Sequence, residues 1–213
     1  MNRPCILQAG TSDTFSKYFE LPYAPAEILA EFNCTYQRQR LDLPKYRDKL
    51  NGLDFLSGYL SRNLAYVNPI SEMARREVLI APTLLEICAE TQTQLNIEYP
   101  INVNEQLKGS FDYYINSDAG ILVIEAKQSD LGRGFTQLAV ELIALDQWTQ
   151  SPTPLLYGAV TTGEDWRFGI FHRQEKRIVQ DLKLYRVPEE LEELLRILVG
   201  IIVAPISLTE EKS

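Results

Sequence analysis

The chain contains a single histidine, His172, and only three cysteines, Cys5, Cys34 and Cys88, with no CxxC pair and no Cys/His cluster. A structural zinc site needs such ligands at close spacing, so none is expected. The odd and widely spaced cysteines read as free thiols in a reducing compartment. With His172 far from any nucleophile signature, no Ser/His/Asp set is readable, and His172 itself, in a predicted strand, reads as structural. No P-loop is present, which excludes an ATP-driven motor built on one. Long apolar runs are lacking too. The longest, Leu194 to Ile206, is about 13 residues and contains Arg196, too short for a bilayer and suited to a buried helix or strand. The first 15 residues have no apolar core of signal-peptide length. The expected location is the cytoplasm, without membrane contact.

Basic charge is scarce. Lys and Arg number 21 against 29 Asp and Glu, a net charge of −8 over 213 residues. That excludes a broad basic face coating nucleic acid, but not a small acidic, metal-filled site that handles it. The acid is unevenly spread. Residues 1–70 carry eight basic and seven acidic side chains, whereas residues 71–150 carry five and twelve. The chain reads as an N-terminal arm and helical extension (1–70) followed by one domain (71–213).

Periodicity supplies the elements. The first 25 residues read as an irregular arm, and 26–41 and 45–65 as helices. Ser71 is a suitable N-cap for a long helix to about Thr93, kinked at Pro82. Three strands follow, 95–104, 109–116 and 120–127. The last two form a hairpin across the turn-rich link Asn116 to Gly120. A helix over 135–148, strands over 155–161, 166–172 and 177–185, and a helix over 189–199 complete the order. Helices alternating with hairpins predict an α/β fold, a central mixed sheet flanked by helices.

One strand carries chemistry. In Ile121-Leu-Val-Ile-Glu-Ala-Lys127, side chains alternate faces and both faces are apolar until Glu125. That is a central strand buried on both sides, ending in a carboxylate and an ammonium. Burial of charge needs a partner or a metal, so the choice is a structural Glu125–Lys127 pair or a metal site. Asp112, among Phe111, Tyr113, Tyr114 and Ile115, faces the same choice. A hairpin register can bring it opposite Glu125, where two carboxylates repel unless a cation lies between them. Hard oxygen ligands suit Mg²⁺ or Mn²⁺. The segment Arg38 to Lys49 holds five basic residues and Tyr46; it reads as a solvated helix face or as a contact to nucleic-acid phosphates. Trp148 and Trp166 read as core.

Asp112 in Gly109-Ser-Phe-Asp112 and the motif Glu125-Ala-Lys127 resemble the PD-(D/E)XK nuclease superfamily. So do Gln137 at the start of the next helix and the helix–three strands–helix–strand order over 71–187. The resemblance implies a restriction-endonuclease-like core and hydrolysis of DNA phosphodiester bonds. Asp112, Glu125 and the carbonyl of Ala126 would hold Mg²⁺ or Mn²⁺, Lys127 would stabilise charge, and Gln137 would position a phosphate or the lysine. The family often adds a glutamate from its first core helix; Glu72, in an ExxR pattern with Arg75, and Glu77, on the apolar stripe, are both candidates. In Gln137-Leu-Ala-Val-Glu141 a glutamate stands where the exonuclease branch has tyrosine, so endonuclease against exonuclease stays open. Nucleases that cut both strands often dimerise, so a homodimer fits. The alternatives are a non-catalytic binding or regulatory protein on the same fold, working with a partner protein, and an enzyme on a small phosphorylated substrate.

Overall fold

A computed structural model of the chain describes residues 6–7 and 12–203. The elements in chain order are α1 (Phe15–Glu20), α2 (Pro25–Ala30), β1 (Thr35–Gln39) and α3 (Leu53–Leu64). A helical stretch follows, made of α4 (Glu72–Arg75), a π turn (Arg76–Ile80) and α5 (Ala81–Thr91). Then come β2 (Leu95–Asn104), β3 (Leu107–Asn116), β4 (Ile121–Ala126), α6 (Leu131–Trp148) and β5 (Leu155–Thr161). The chain continues through β6 (Asp165–His172), β7 (Arg177–Asp181), β8 (Tyr185–Arg186) and α7 (Leu191–Val203).

The strands form one mixed sheet in the order β1-β7-β6-β5-β4-β3-β2, with β8 beside β6. β1 runs parallel to β7 and β4 parallel to β5, and the other pairs are antiparallel. Helices α3, α5 and α7 build an apolar core on one face; α1, α2 and α6 build a second on the other. The protein is therefore α/β, with helices on both faces of a mixed sheet. β4 sits between the two cores. Leu122, Ile124 and Ala126 belong to the first, Ile121 and Val123 to the second, the alternation its sequence predicts. All six of its residues are buried, each large aliphatic among them contributing about 1.5–3 kcal/mol.

Several expectations are corrected. Residues 26–41 are not one helix: α2 stops at Ala30, and Thr35–Gln39 pair with Arg177–Asp181 as an edge strand. Arg38 and Arg40 consequently sit on or beside a strand, and Lys45 to Lys49 form no helix, so the basic stretch is not a helix face. Helix forms only from Leu53 in the predicted 45–65 segment. Trp148 is 47% exposed at the end of α6, whereas Trp166 is fully buried. The irregular arm contains α1; Cys5 lies outside the described residues, and Cys34 and Cys88 are free, buried thiols. No described helix is long and apolar enough to cross a membrane. The apolar run from Leu194 is the buried helix α7 as far as Val203.

The stretch from Glu72 to Thr91 begins where predicted, with the Ser71 hydroxyl accepting from the Ala74 N–H at 3.1 Å. Pro82 cannot donate to the helical ladder. The turn just before it widens, so that the Ala81 N–H reaches the Arg76 carbonyl, five residues back. The widened turn changes which side chains face inward.

Gly134 allows α6 to settle on β4 and β5. A Cβ there would stand 2.7 Å from Val160 Cγ2 and 2.9 Å from Lys127 Cγ. Gly134→Ala is expected to cost about 1–3 kcal/mol, read as a lower denaturation midpoint with an unchanged slope.

Candidate functional site

The site lies where β4 ends, under the first turns of α6. Helix α6 is buried from Gly134 to Leu145, enclosed by the sheet on one side and by α1 and α2 on the other. A helix buried all round is expected to be apolar, so Gln137 and Glu141, 5% and 0% exposed, need a reason. They stand one turn apart and face Glu125. The Gln137 amide nitrogen donates to Glu125 Oε1 at 2.7 Å and to Glu141 Oε1 at 2.9 Å. The Lys127 ammonium donates to the same Glu125 oxygen and lies over the Phe19 ring, 5.1 Å from its centroid. Glu125 Oε2, Glu141 Oε2 and Gln137 Oε1 are buried without hydrogen-bond partners. Three acceptors and no donor mark a place that takes a cation or a proton.

Asp112 joins from β3 through a break in the ladder. The pairs Ile97–Tyr113 and Tyr99–Phe111 are formed, but Glu98–Asp112 between them is not. Glu98 has φ of +52°, a conformation a residue with a Cβ holds only under constraint. The strand turns over at this point: Phe111 lies in the α6-side core and Tyr113 in the opposite one, although residues two apart normally share a face. Pairing of β3 with β4 stops at Tyr113–Ile124, and the freed Asp112 carboxylate accepts from the Ala126 N–H at 2.8 Å. The expected placement opposite Glu125 is thus reached one pair beyond the ladder, with the carboxylate hooked onto the backbone of the ExK motif.

Arg76 closes the other side. Its guanidinium lies 3.3 Å from Asp112 and 2.5 Å from Glu98, over the Tyr113 ring at 5.1 Å from the centroid. The π turn puts Arg76 inward and leaves Glu77 exposed. Glu77 is therefore not gathered with the other candidates, because the 3.6-residue stripe that would bury it is interrupted. Glu72, half-buried, lies nearer: its charge, after those of Glu125 and Asp112, favours the ammonium form of Lys127.

The electrostatics follow from burial. It pushes the Glu125 carboxyl well above the usual range, Glu141 and Asp112 push it further, and Lys127 opposes them. Burial likewise raises Glu141, to about 7. Asp112 is raised by burial in spite of the Ala126 N–H, Arg76 and Lys127. Lys127 is held charged, because Glu125 first, then Asp112 and Glu72, outweigh its desolvation. Among the described residues no group of three or more His, Cys, Asp or Glu is arranged as a metal cage; the oxygens on offer are the carboxylates of Asp112 and Glu125 and the backbone.

Arg76 and the inward-facing Glu141 join the site without being part of its sequence motif. Glu141 had a signal, an acid one turn from Gln137 in an otherwise apolar helix. Arg76 had none, since its direction depends on the π turn. Comparison of the chain with models of protein families, with curated proteins and with solved structures finds no match.

Proposed function

We propose that the protein is a metal-dependent nuclease of the PD-(D/E)XK type, hydrolysing DNA phosphodiester bonds with Mg²⁺ or Mn²⁺. The observation that carries this is the buried set at the end of β4. There Asp112 is bonded to the Ala126 N–H and Lys127 to Glu125, and Glu125 Oε2 is left without a partner. The donor set fits a hard cation: carboxylate oxygens from two strands, one of them orphaned, and no sulfur or imidazole. Asp112, Glu125 and the Ala126 carbonyl would hold the ion. When bound, it lowers the pKa of a coordinated water and offsets charge on the phosphate.

The chain's own groups do the rest. Lys127 stays protonated in this acidic setting and presents a fixed positive charge beside Glu125, where negative charge grows on the phosphate. Gln137 and Glu141 hold the Glu125 side chain from α6. Phe19 covers Lys127 and limits access of water to it.

The test is incubation of the pure protein with several DNA forms. Cleavage with Mg²⁺ or Mn²⁺ that EDTA stops is expected, and no cleavage of any form with either ion sinks the reading. One observation favours a second reading, a non-catalytic binding module on this fold. The Arg76 guanidinium already sits on Asp112, supplying the positive charge a metal would bring. That reading predicts no heat on titration with Mg²⁺ or Mn²⁺.

A further inference from the structure

A cavity of about 570 Å³ opens on the α6 side of the sheet. Its walls are the first turns of α6, the link between α1 and α2, and strands β1, β6 and β7. Arg133, Arg38 and Arg167, one from α6 and two from the sheet, line it together. Arg133 has a surface partner, Asp130, at 3.5 Å. Arg38 and Arg167 have no ion pair or side-chain hydrogen bond among the described residues, and Arg167 Nε is buried without any acceptor. Burial, and next the charge of Arg38, work against the Arg167 guanidinium; Asp181 and Asp165 are felt there without pairing with it. One oxygen of Asp181 is taken by the N–H groups of Leu41 and Lys183, and the other is buried without a hydrogen bond, to Arg167 or to any other group. A desolvated guanidinium beside a second one, with no carboxylate bonded to either, is a site made for an anion.

The cavity is placed relative to the candidate active site by the sheet register. Glu125 pairs with Val160, and Val160 pairs with Arg167. Two strand spacings of about 4.8 Å therefore separate the Arg167 and Glu125 backbones. The first turn of α6 packs on Val160 between them, so the cavity and the end of β4 lie on either side of the helix start. Tyr23, 46% exposed on the cavity wall, offers a ring face to a base.

The geometry points to a second phosphate site, in which Arg167, Arg38 and Arg133 grip a phosphate group of the substrate strand away from the bond held at Glu125 and Lys127. Its place in catalysis rests on the nuclease reading above, whereas its affinity for phosphate does not. The same chemistry accepts a terminal phosphate or an internal phosphodiester.

The test uses the full chain in EDTA and thymidine hexanucleotides bearing a 5′-phosphate, a 3′-phosphate or neither, followed by fluorescence anisotropy. Arg167→Gln and Arg38→Gln are each expected to weaken binding about tenfold, and inorganic phosphate should compete against wild type. Tighter binding of one phosphorylated end identifies a terminal phosphate; equal affinities identify an internal one. Arg38 is exposed on an edge strand, so Arg38→Gln keeps the test open even where Arg167→Gln disturbs folding. Unchanged affinity in Arg38→Gln and in folded Arg167→Gln overturns the site. DNA cleavage by wild type combined with such unchanged affinity removes this pocket alone. Arginine-dependent phosphate binding without cleavage removes the nuclease reading alone.

Discussion

Lys127→Met is expected to lower metal-dependent DNA cleavage by about two to three orders of magnitude while the protein stays folded. Methionine keeps most of the length and apolar stem of a side chain that is only 13% exposed and lies against Phe19, so the packing loss is small. On the proposed nuclease reading, what goes is the charge aimed at the growing negative charge on the phosphate. Removing one partner of a buried ion pair costs about 3–5 kcal/mol when the other charge must remain. Glu125 need not remain charged: burial, then Glu141 and Asp112, already push its carboxyl well above the usual range, and without Lys127 it holds a proton more readily still. The variant should therefore melt closest to wild type in acid and fall progressively below it as pH rises and the proton is harder to keep. Initial cleavage rates, and circular-dichroism melts across a pH series, check this. Wild-type cleavage rates in the variant remove Lys127 from the mechanism.

The parts of this site that were legible in sequence are those whose cause is local. The alternation along β4 shows in six residues, and its interruption at Glu125 marks the site before any contact is known. The hairpin of β3 and β4 follows from the turn-rich link Asn116 to Gly120. What was hidden depends on distant contacts. β1 has no apolar alternation, since its five residues are mostly exposed; it is a strand because β7, some 140 residues on, offers it an edge. Glu77 was placed inward by a 3.6-residue count that holds only in regular helix, and the widened turn before Pro82 gives that inward position to Arg76. The turning-over of β3 at Asp112 is equally non-local. It depends on Glu98 adopting a left-handed backbone in the neighbouring strand, and it is what delivers the Asp112 carboxylate to the Ala126 N–H.

Glu141→Gln is expected to stabilise the protein above neutral pH and to leave it unchanged in acid. Glu141 is fully buried, and its carboxyl is pushed up to about 7 from an ordinary value of 4.5, by burial first, with Gln137 and Glu125 opposing. A carboxyl raised in the folded state binds its proton more tightly there than in the unfolded chain. Between about pH 4.5 and 7 the folded protein then carries the extra proton, so stability falls as pH rises through that window. Above it the wild type bears a cost of the order of 3 kcal/mol at about 1.4 kcal/mol per unit. Glutamine keeps an acceptor for the Gln137 amide and replaces Glu141 Oε2 by a donor, where Glu125 Oε2 and Gln137 Oε1 have none. At pH 8 the variant should melt about 6–12 °C above wild type, at about 2–4 °C per kcal/mol for a chain of this size; at pH 4 the two should coincide. Some slope persists in the variant, because Glu125 is raised in the same direction. A melting difference equal at pH 5 and pH 8 would show that Glu141 acts through packing, and the proton would then have no part in it.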